Sequence, residues 1–374
     1  MRIGFLINPI AGMGGRVGLK GTDGLAEEAV RLGAVPVAPG RAAESLRRLH
    51  DGLDDPAAIE WLTCAGTMGA DTLRAAGFDA ARIVHAAGDP PTRQDTVATV
   101  AAFVAAKADL VLFCGGDGTA RDVASVVGET TPMLGIPAGV KMFSGVFGVT
   151  PAGTAEIVLG WLDGTLPLAT ADVLDLDEER YRAGELAMRL FCKARTPYEP
   201  TRTQTAKALF VESSDAEVKA AIADYIGEEI AARPGTLFLL GPGSTVQAVA
   251  EALGLDKTLL GVDALLAGKL VGRDLNETAI LDLLARHPDA KLILSPIGAQ
   301  GFVLGRGNLQ ISPAAIRRIG TGHIVVVSTP AKLKRTAALR FDTGDTALDA
   351  ELADRRYLPV IVGYRRRRLT PVAG

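Results

Sequence analysis

VLFCGGDGTARDV, residues 111–123, sets four apolar residues directly against two glycines, an aspartate, a third glycine and a threonine. The apolar run, with Asp109 and Leu110 before it, predicts a buried strand, and Ala120 to Val127 predicts a helix after it. A sharp turn from the C-terminal end of a strand into a helix is where doubly wound folds bind phosphates. Glycine lets the backbone approach an anion closely and adopt positive φ. Amides at the helix start point at such a ligand, and the helix dipole favours negative charge there. Gly115, Gly116 and Gly118 supply the bare backbone, and Thr119 can both cap the helix and bond a phosphate oxygen. Asp117 does not fit that picture, because a carboxylate among anion-binding amides repels a phosphate unless it acts as a base or holds a metal. Asp117 is therefore the catalytic candidate. The competing reading is an aspartate in a tight turn that bonds its own backbone.

The whole chain sets bounds on that site. Its 374 residues suggest two domains, and 48% hydrophobic residues supply a sizeable core. A net charge of −3 and a pI near 5.9 argue against a general nucleic-acid binder, which carries a basic face. The basic run Arg365 to Arg368 reads as a solvated tail or as a contact for a polyanion. Cys64, Cys114 and Cys192 stand far apart, so no zinc site or redox pair is signalled, no metal-ligand set is assigned, and buried free thiols in a reducing cytosol are expected. MRIGFLINP is too short, and too soon broken by Pro9, for a secretory signal. No run approaches the roughly 18 apolar residues of a membrane span. A soluble cytoplasmic protein is the expectation.

Strand and helix patterns alternate through the first half. Ile3 to Ile7, "AIEWLTC", "ARIVHA", "DLVLFC" and "PMLGIPAG" read as strands. Leu25 to Leu32, "ADTLRAAG" and Thr92 to Ala106 read as helices between them. That alternation implies an α/β fold with a doubly wound parallel sheet. Beyond a boundary near Gly164 to Ala171, "ADVLDLDE" and "ELAMRLFCKA" look like strands of a different, partly antiparallel sheet. Alternation then resumes through "AKALFV", Glu217 to Ala231, "TLFLLG", Thr245 to Leu253, "KTLLGVDAL", Glu277 to Arg286, "AKLILSP", Pro313 to Ile319 and "HIVVVSTP". The expected domains are a nucleotide-binding α/β domain over residues 1–165 and a second mixed α/β domain over 166–374 that completes the site, in a cleft between the two.

"GGDGT" after an apolar strand, with an "NP…G" loop after the first strand, resembles the superfamily of NAD kinases, diacylglycerol kinases and sphingosine kinases. Within it, "INPIAGMGGRVGLKGTDG", "GIPAGVKMFSGVFGVTP" and "GFVLGRGNLQISP" are similar to the ATP-NAD kinase-like branch, which includes the acetoin-catabolism protein X. The resemblance runs from Ile7 to the closing "FDTGD" and implies a kinase that binds nucleotides. It places the base for a ribose 2′-hydroxyl on Asp117 and phosphate contacts on Gly115 to Thr119. It lines the nucleotide site with Asn8, Pro9, Gly12, Gly14 and Gly15. Gly12-Met13-Gly14 opens a dinucleotide fingerprint, but its third glycine falls on Val17, one residue short of Gly18, so that motif is absent.

The branch departs from the usual NAD kinase pattern, in which an Asn-Glu pair holding adenine precedes a Gly-Ser-Thr-Ala-Tyr loop. Here Gly241 to Thr245 comes first and Asn276-Glu277 later, so neither role carries over. "LGPGSTVQAVAEALG" also resembles the opening loop of ribose-5-phosphate isomerases. By residue type alone, Gly243, Ser244 and Thr245 read as a second anion pocket or as an ordinary helix N-cap. Lys141, in a glycine-flanked loop with apolar neighbours, is either a transition-state cation or a surface lysine. Arg306 and Asn308 of "GRGN" are either phosphate ligands or parts of a surface turn.

The expected activity is phosphoryl transfer from ATP, or polyphosphate, to a hydroxyl of NAD, with Mg2+ bridging the donor phosphates. A kinase of another small hydroxylated metabolite and a nucleotide sensor without turnover are the alternatives. Lipid kinase activity is disfavoured because no basic amphipathic helix offers a membrane dock. Small nucleotides are the expected partners, with no nucleic acid, no membrane and a homo-oligomeric assembly.

Overall fold

The computed structural model describes residues 1–19, 25–139, 142–176, 188–199, 203, 216–297 and 300–373. These fall into two compact units, residues 1–14 and 25–203 in one, residues 15–19 and 216–373 in the other.

The first unit runs β1 (Arg2–Ile7), α1 (Ala26–Arg31), α2 (Ala38–Asp51), β2 (Glu60–Cys64), α3 (Ala70–Ala75), β3 (Arg82–His85), α4 (Arg93–Ala105), β4 (Leu110–Gly115), α5 (Asp117–Val127), β5 (Met133–Pro137), α6 (Pro151–Leu162), β6 (Leu168–Leu176) and β7 (Met188–Pro197). Strands β3-β2-β1-β4-β5 form a wholly parallel sheet in that order. The apolar runs of the sequence follow from burial on both faces. Ile3, Phe5 and Ile7 with Leu110, Leu112 and Cys114 face α2, α3 and α6, whereas Leu6, Val111 and Phe113 face α4 and α5. The fold is thus α/β and doubly wound, as the strand and helix patterns implied. Cys114 donates to Ala38 O, and burial pushes its thiol pKa up, which leaves it inert.

Helices α2 and α6 are absent from the sequence reading. Pro39 and Pro151 both sit in the first turn, where the missing N–H has no helical partner to lose. Thr150 caps α6, accepting from Gly153 N at 2.9 Å. The antiparallel β6–β7 pair packs on α5 and β5, so this unit extends past residue 165. Asp175 of β6 is held there by Arg121 of α5 and by Arg189 of β7.

The second unit runs α7 (Ala216–Ala231), β8 (Leu237–Leu240), α8 (Ser244–Ala252), β9 (Asp263–Leu266), β10 (Lys269–Gly272), α9 (Glu277–Arg286), β11 (Ala290–Leu294), β12 (Phe302–Leu304), α10 (Pro313–Ile319), β13 (Ile324–Val327), α11 (Pro330–Lys334), β14 (Arg340–Phe341), α12 (Thr346–Ala353), β15 (Tyr357–Gly363) and β16 (Arg366–Pro371). Its main sheet has the order β10-β9-β8-β11-β13-β15-β16. The central four strands are parallel, and antiparallel strands close both ends. The expected strand "AKALFV" lies outside the described residues. Arg365 to Arg368 is no tail: Arg366, Arg367 and Arg368 stand exposed on the edge strand β16.

"KTLLGVDAL" becomes a strand only from Asp263. The preceding residues form a loop around Lys257, which is 3% exposed. Its ammonium donates to Thr258 O at 2.6 Å and Gly261 O at 3.3 Å. Buried Asp263 accepts from Thr258 N, Thr258 Oγ1 and Asp274 N at 2.6 to 2.7 Å. Burial lowers the Lys257 pKa to about 8, although Asp263 and Asp274 pull it upward. Below pH 8 the lysine is charged folded and unfolded alike, and the burial penalty is fully present. Between about 8 and the ordinary value of roughly 10.4, the folded chain sheds its proton first, so stability rises with pH. The expected gain is about 3 kcal/mol across that window. Denaturant titrations at pH 7.5 and 10 will show this rise in the native chain and its loss in Lys257→Met.

Candidate active site

The turn from β4 to α5 is a single residue, Gly116, which stands at the helix N-cap. Asp117 is the first helical residue, so the helix starts three residues earlier than the apolar pattern predicts. Thr119 is consequently inside the helix and 3% exposed, rather than at the cap. Its Oγ1 accepts from Asn8 Nδ2 at 3.0 Å, and Asn8 N donates to Cys114 O at 2.9 Å. These bonds join the end of β1 to the start of α5. In the strand order 3-2-1-4-5 the chain leaves β1 toward opposite edges, so the β1/β4 boundary is the topological switch point where such sheets hold ligands.

The strand ends approach one another through bare backbone. Ala138 N and Gly139 N both donate to Gly115 O, at 3.0 and 3.2 Å. A Cβ on Gly139 would stand 2.8 Å from Gly116 Cα, and one on Gly116 would stand 3.2 Å from Gly139 Cα. Gly12 has φ +79°, and a side chain there would overlap the Ala138 carbonyl oxygen. Gly14 is buried beside it, whereas Gly15 groups with the second unit, where Arg16 O accepts from Glu277 N at 3.1 Å.

Asp117 directs its carboxylate at the segment after β5. Phe143 N donates to Oδ2 at 2.7 Å and Ser144 N to Oδ1 at 3.0 Å. That segment is also tied to β5 by Gly135 N to Val146 O at 2.7 Å, and to β6 by Gly145 N to Asp172 O at 2.8 Å. The half-buried carboxylate also lies at a helix N-terminus, where the dipole favours negative charge. Lys141 lies outside the described residues. No sequence signal pointed to Gly139 or to the Phe143 and Ser144 amides, because both act through backbone.

The loops of the second unit stand apart from this turn in composition. Gly243 is the N-cap of α8, with φ +115° and no side-chain cap bond, so Ser244 and Thr245 do not serve as the cap. Ser244 Oγ instead accepts from Lys219 Nζ at 3.1 Å. The GRGN turn is buried rather than at the surface. Arg306, 6% exposed, lies 4.8 Å from the Phe302 ring centre and 4.0 Å from Asp342, and donates to Gln300 Oε1 at 3.3 Å. Asn308, 1% exposed, commits both ends of its amide to its own loop, accepting from Gly305 N and donating to Val303 O, each at 2.9 Å. Asn276 caps α9, accepting from Ala279 N at 2.9 Å.

Two family models cover most of the chain. Residues 3–165 match the ATP-NAD kinase N-terminal domain, and residues 235–372 match the ATP-NAD kinase C-terminal domain. The chain belongs to the ATP-NAD kinase family. No curated protein and no solved structure matches it. It is an ATP-dependent phosphotransferase of that family, whose members use ATP and a divalent metal. Among the described residues no three His, Cys, Asp or Glu side chains group to hold a metal, and no helix is long and apolar enough to cross a membrane. A nucleotide-borne metal needs only one or two protein carboxylates, because substrate phosphates and water fill its other positions. Asp117, at the turn, fits that requirement.

The back-to-back glycines give a direct test. Gly139→Ala forces the β4–α5 turn and the β5 end apart by a few tenths of an ångström or more. The expected result is at least a tenfold weaker ATP affinity by calorimetry, with the circular dichroism of the native chain retained.

Proposed function

We propose that the chain transfers the terminal phosphoryl group of ATP to a hydroxyl of NAD, forming NADP. The observation that carries this reading is the Gly115–Thr119 turn. A strand enters a helix through one residue, the first helical amides have no acceptor within the helix, and its carboxylate is fixed in direction by two backbone N–H groups. Phosphoryl transfer passes through a loose transition state, so the protein's task is positioning and charge stabilisation more than covalent chemistry. In this reading the amides of Gly116 to Thr119 and the Asn8–Thr119 pair hold nucleotide phosphates, and Gly12 and Gly14 line the same end. Asp117 accepts a hydrogen bond from the acceptor hydroxyl, orients it and takes its proton. Lys141 supplies a cation to the transferring group. Mg2+ offsets the charge of the donor phosphates when bound with them. Polyphosphate offers the same chain of phosphates and is the other donor to try.

Incubation with ATP or polyphosphate and Mg2+, against NAD, NADH and small polyols, is read by the mass of the products. NADP is the expected product; phosphorylation of a polyol with NAD untouched would redirect the assignment. Asp117→Asn keeps the shape and loses proton-accepting power. A fall in kcat on the order of 100-fold is expected, with ATP binding retained, and near-normal turnover in that variant would remove Asp117 from the mechanism.

A further inference from the structure

The second unit ends its parallel strands in a polar cluster that the β4–α5 turn does not require. Strands β8, β11 and β13 run side by side, Leu240 level with Ile293 and Leu294 with Val326. The residues after each strand therefore emerge at one end of the sheet, the end at which open α/β sheets take ligands. Two lysines reach that end from separate helices. Lys219 of α7 donates to Ser244 Oγ just beyond β8, and Lys332 of α11 donates to Ser295 Oγ, the first residue beyond β11, at 3.2 Å. Strands β8 and β11 are neighbours, so both lysine–serine pairs lie toward the same end of the sheet.

The polar side chains around Lys332 are only partly satisfied by the protein. Gln300 Oε1 accepts from Arg306, but its buried Nε2 has no hydrogen-bond partner among the described residues. Gln310 is 6% exposed. Buried amides without partners are rare because their desolvation goes uncompensated. The Gln300 loop and α11 form one assembly: Gly301 lies against the Thr336 methyl and the Ala338 carbonyl, and Thr336 Oγ1 donates to Lys332 O at 3.1 Å. On the other flank, none of the described residues lies within 4 Å of where a Cβ would stand on Gly243. The loop before α8 thus faces open space, and its amides add to the field of the lysines.

We propose that the second unit holds a binding site of its own for a phosphomonoester, at the C-terminal ends of β8 and β11. Two ammonium groups and a helix start match a tetrahedral dianion better than a single carboxylate. Lys219, Lys332, Ser244 and Ser295 surround the phosphate, and Gln300 and Gln310 meet hydroxyl or base groups of the esterified alcohol. The site uses residues of the second unit alone and stands whether or not NAD is the acceptor of the phosphoryl group.

The test is calorimetric titration of the full chain at fixed ionic strength with inorganic phosphate, glycerol 3-phosphate and AMP. Both esters are expected to bind more tightly than inorganic phosphate. Lys219→Met and Lys332→Met are each expected to weaken both esters at least tenfold, with Lys332→Arg recovering part of the loss. Gln300→Leu is expected to weaken the esters but not inorganic phosphate. If a methionine variant loses its native circular dichroism, Lys219→Gln and Lys332→Gln, which keep a hydrogen-bonding end, are titrated in its place. Native protein that binds none of the three, or lysine variants that bind the esters as the native chain does, would overturn the site. Neither outcome touches the kinase reading, which is scored by ATP-dependent product and not by this titration.

Discussion

Two amide protons, from Phe143 and Ser144, close on the Asp117 carboxylate, and much of the first unit's binding end follows from that contact. To reach them, Asp117 must open its helix one residue after β4, which leaves Gly116 as the whole turn. Gly116 then lies against Gly139, and neither position has room for a side chain. The contact also resolves the anomaly of a carboxylate in an anion-binding turn. Its charge is met by amides and by the helix dipole, which would let it coexist with phosphate in the proposed kinase site. A carboxylate fixed in this way is aimed before any substrate arrives, which lowers the entropic cost of orienting an acceptor.

The two units solve the same problem with different chemistry. Both contain a run of parallel strands that end in glycine-bearing loops. In the first, the loops meet through backbone, and one carboxylate supplies the only charge with described contacts at the turn. In the second, lysines, serines and glutamine amides occupy the corresponding position over β8 and β11. An arrangement of amides suits transient charge in a transition state. One of ammonium groups suits holding a ligand that stays charged.

The doubly wound first unit was legible in the sequence because its strands are apolar on both faces and its turns carry glycine. The GGDGT turn was legible for the same reason, since bare backbone and a lone carboxylate are visible as residue types, whereas Asn8 was named only by the family resemblance. What sequence reasoning lost has specific causes. Helices α2 and α6 were not read at all, although Pro39 and Pro151 stand in their first turns. "KTLLG" looked like a strand by hydropathy, but Lys257 and Asp263 bind that stretch into a loop. Thr119 looked like a cap because the helix start is set by Asp117's distant partners, 26 and 27 residues away. Arg306 and Asn308 read as phosphate ligands or as parts of a surface turn. Their burial depends on Phe302, Gln300 and Asp342, a grouping that only the folded chain creates.

The edge strand β16 bears on how the protein behaves when crowded. An open sheet edge presents a row of unpaired N–H and C=O groups, a template on which a foreign strand can add. Here Arg366, Arg367 and Arg368 stand in succession along that edge. A second copy pairing with it in a register that sets the two runs opposite one another would bring cation against cation, which is unfavourable directly across a strand pair. The arginine run therefore disfavours edge-to-edge growth of the sheet along that stretch.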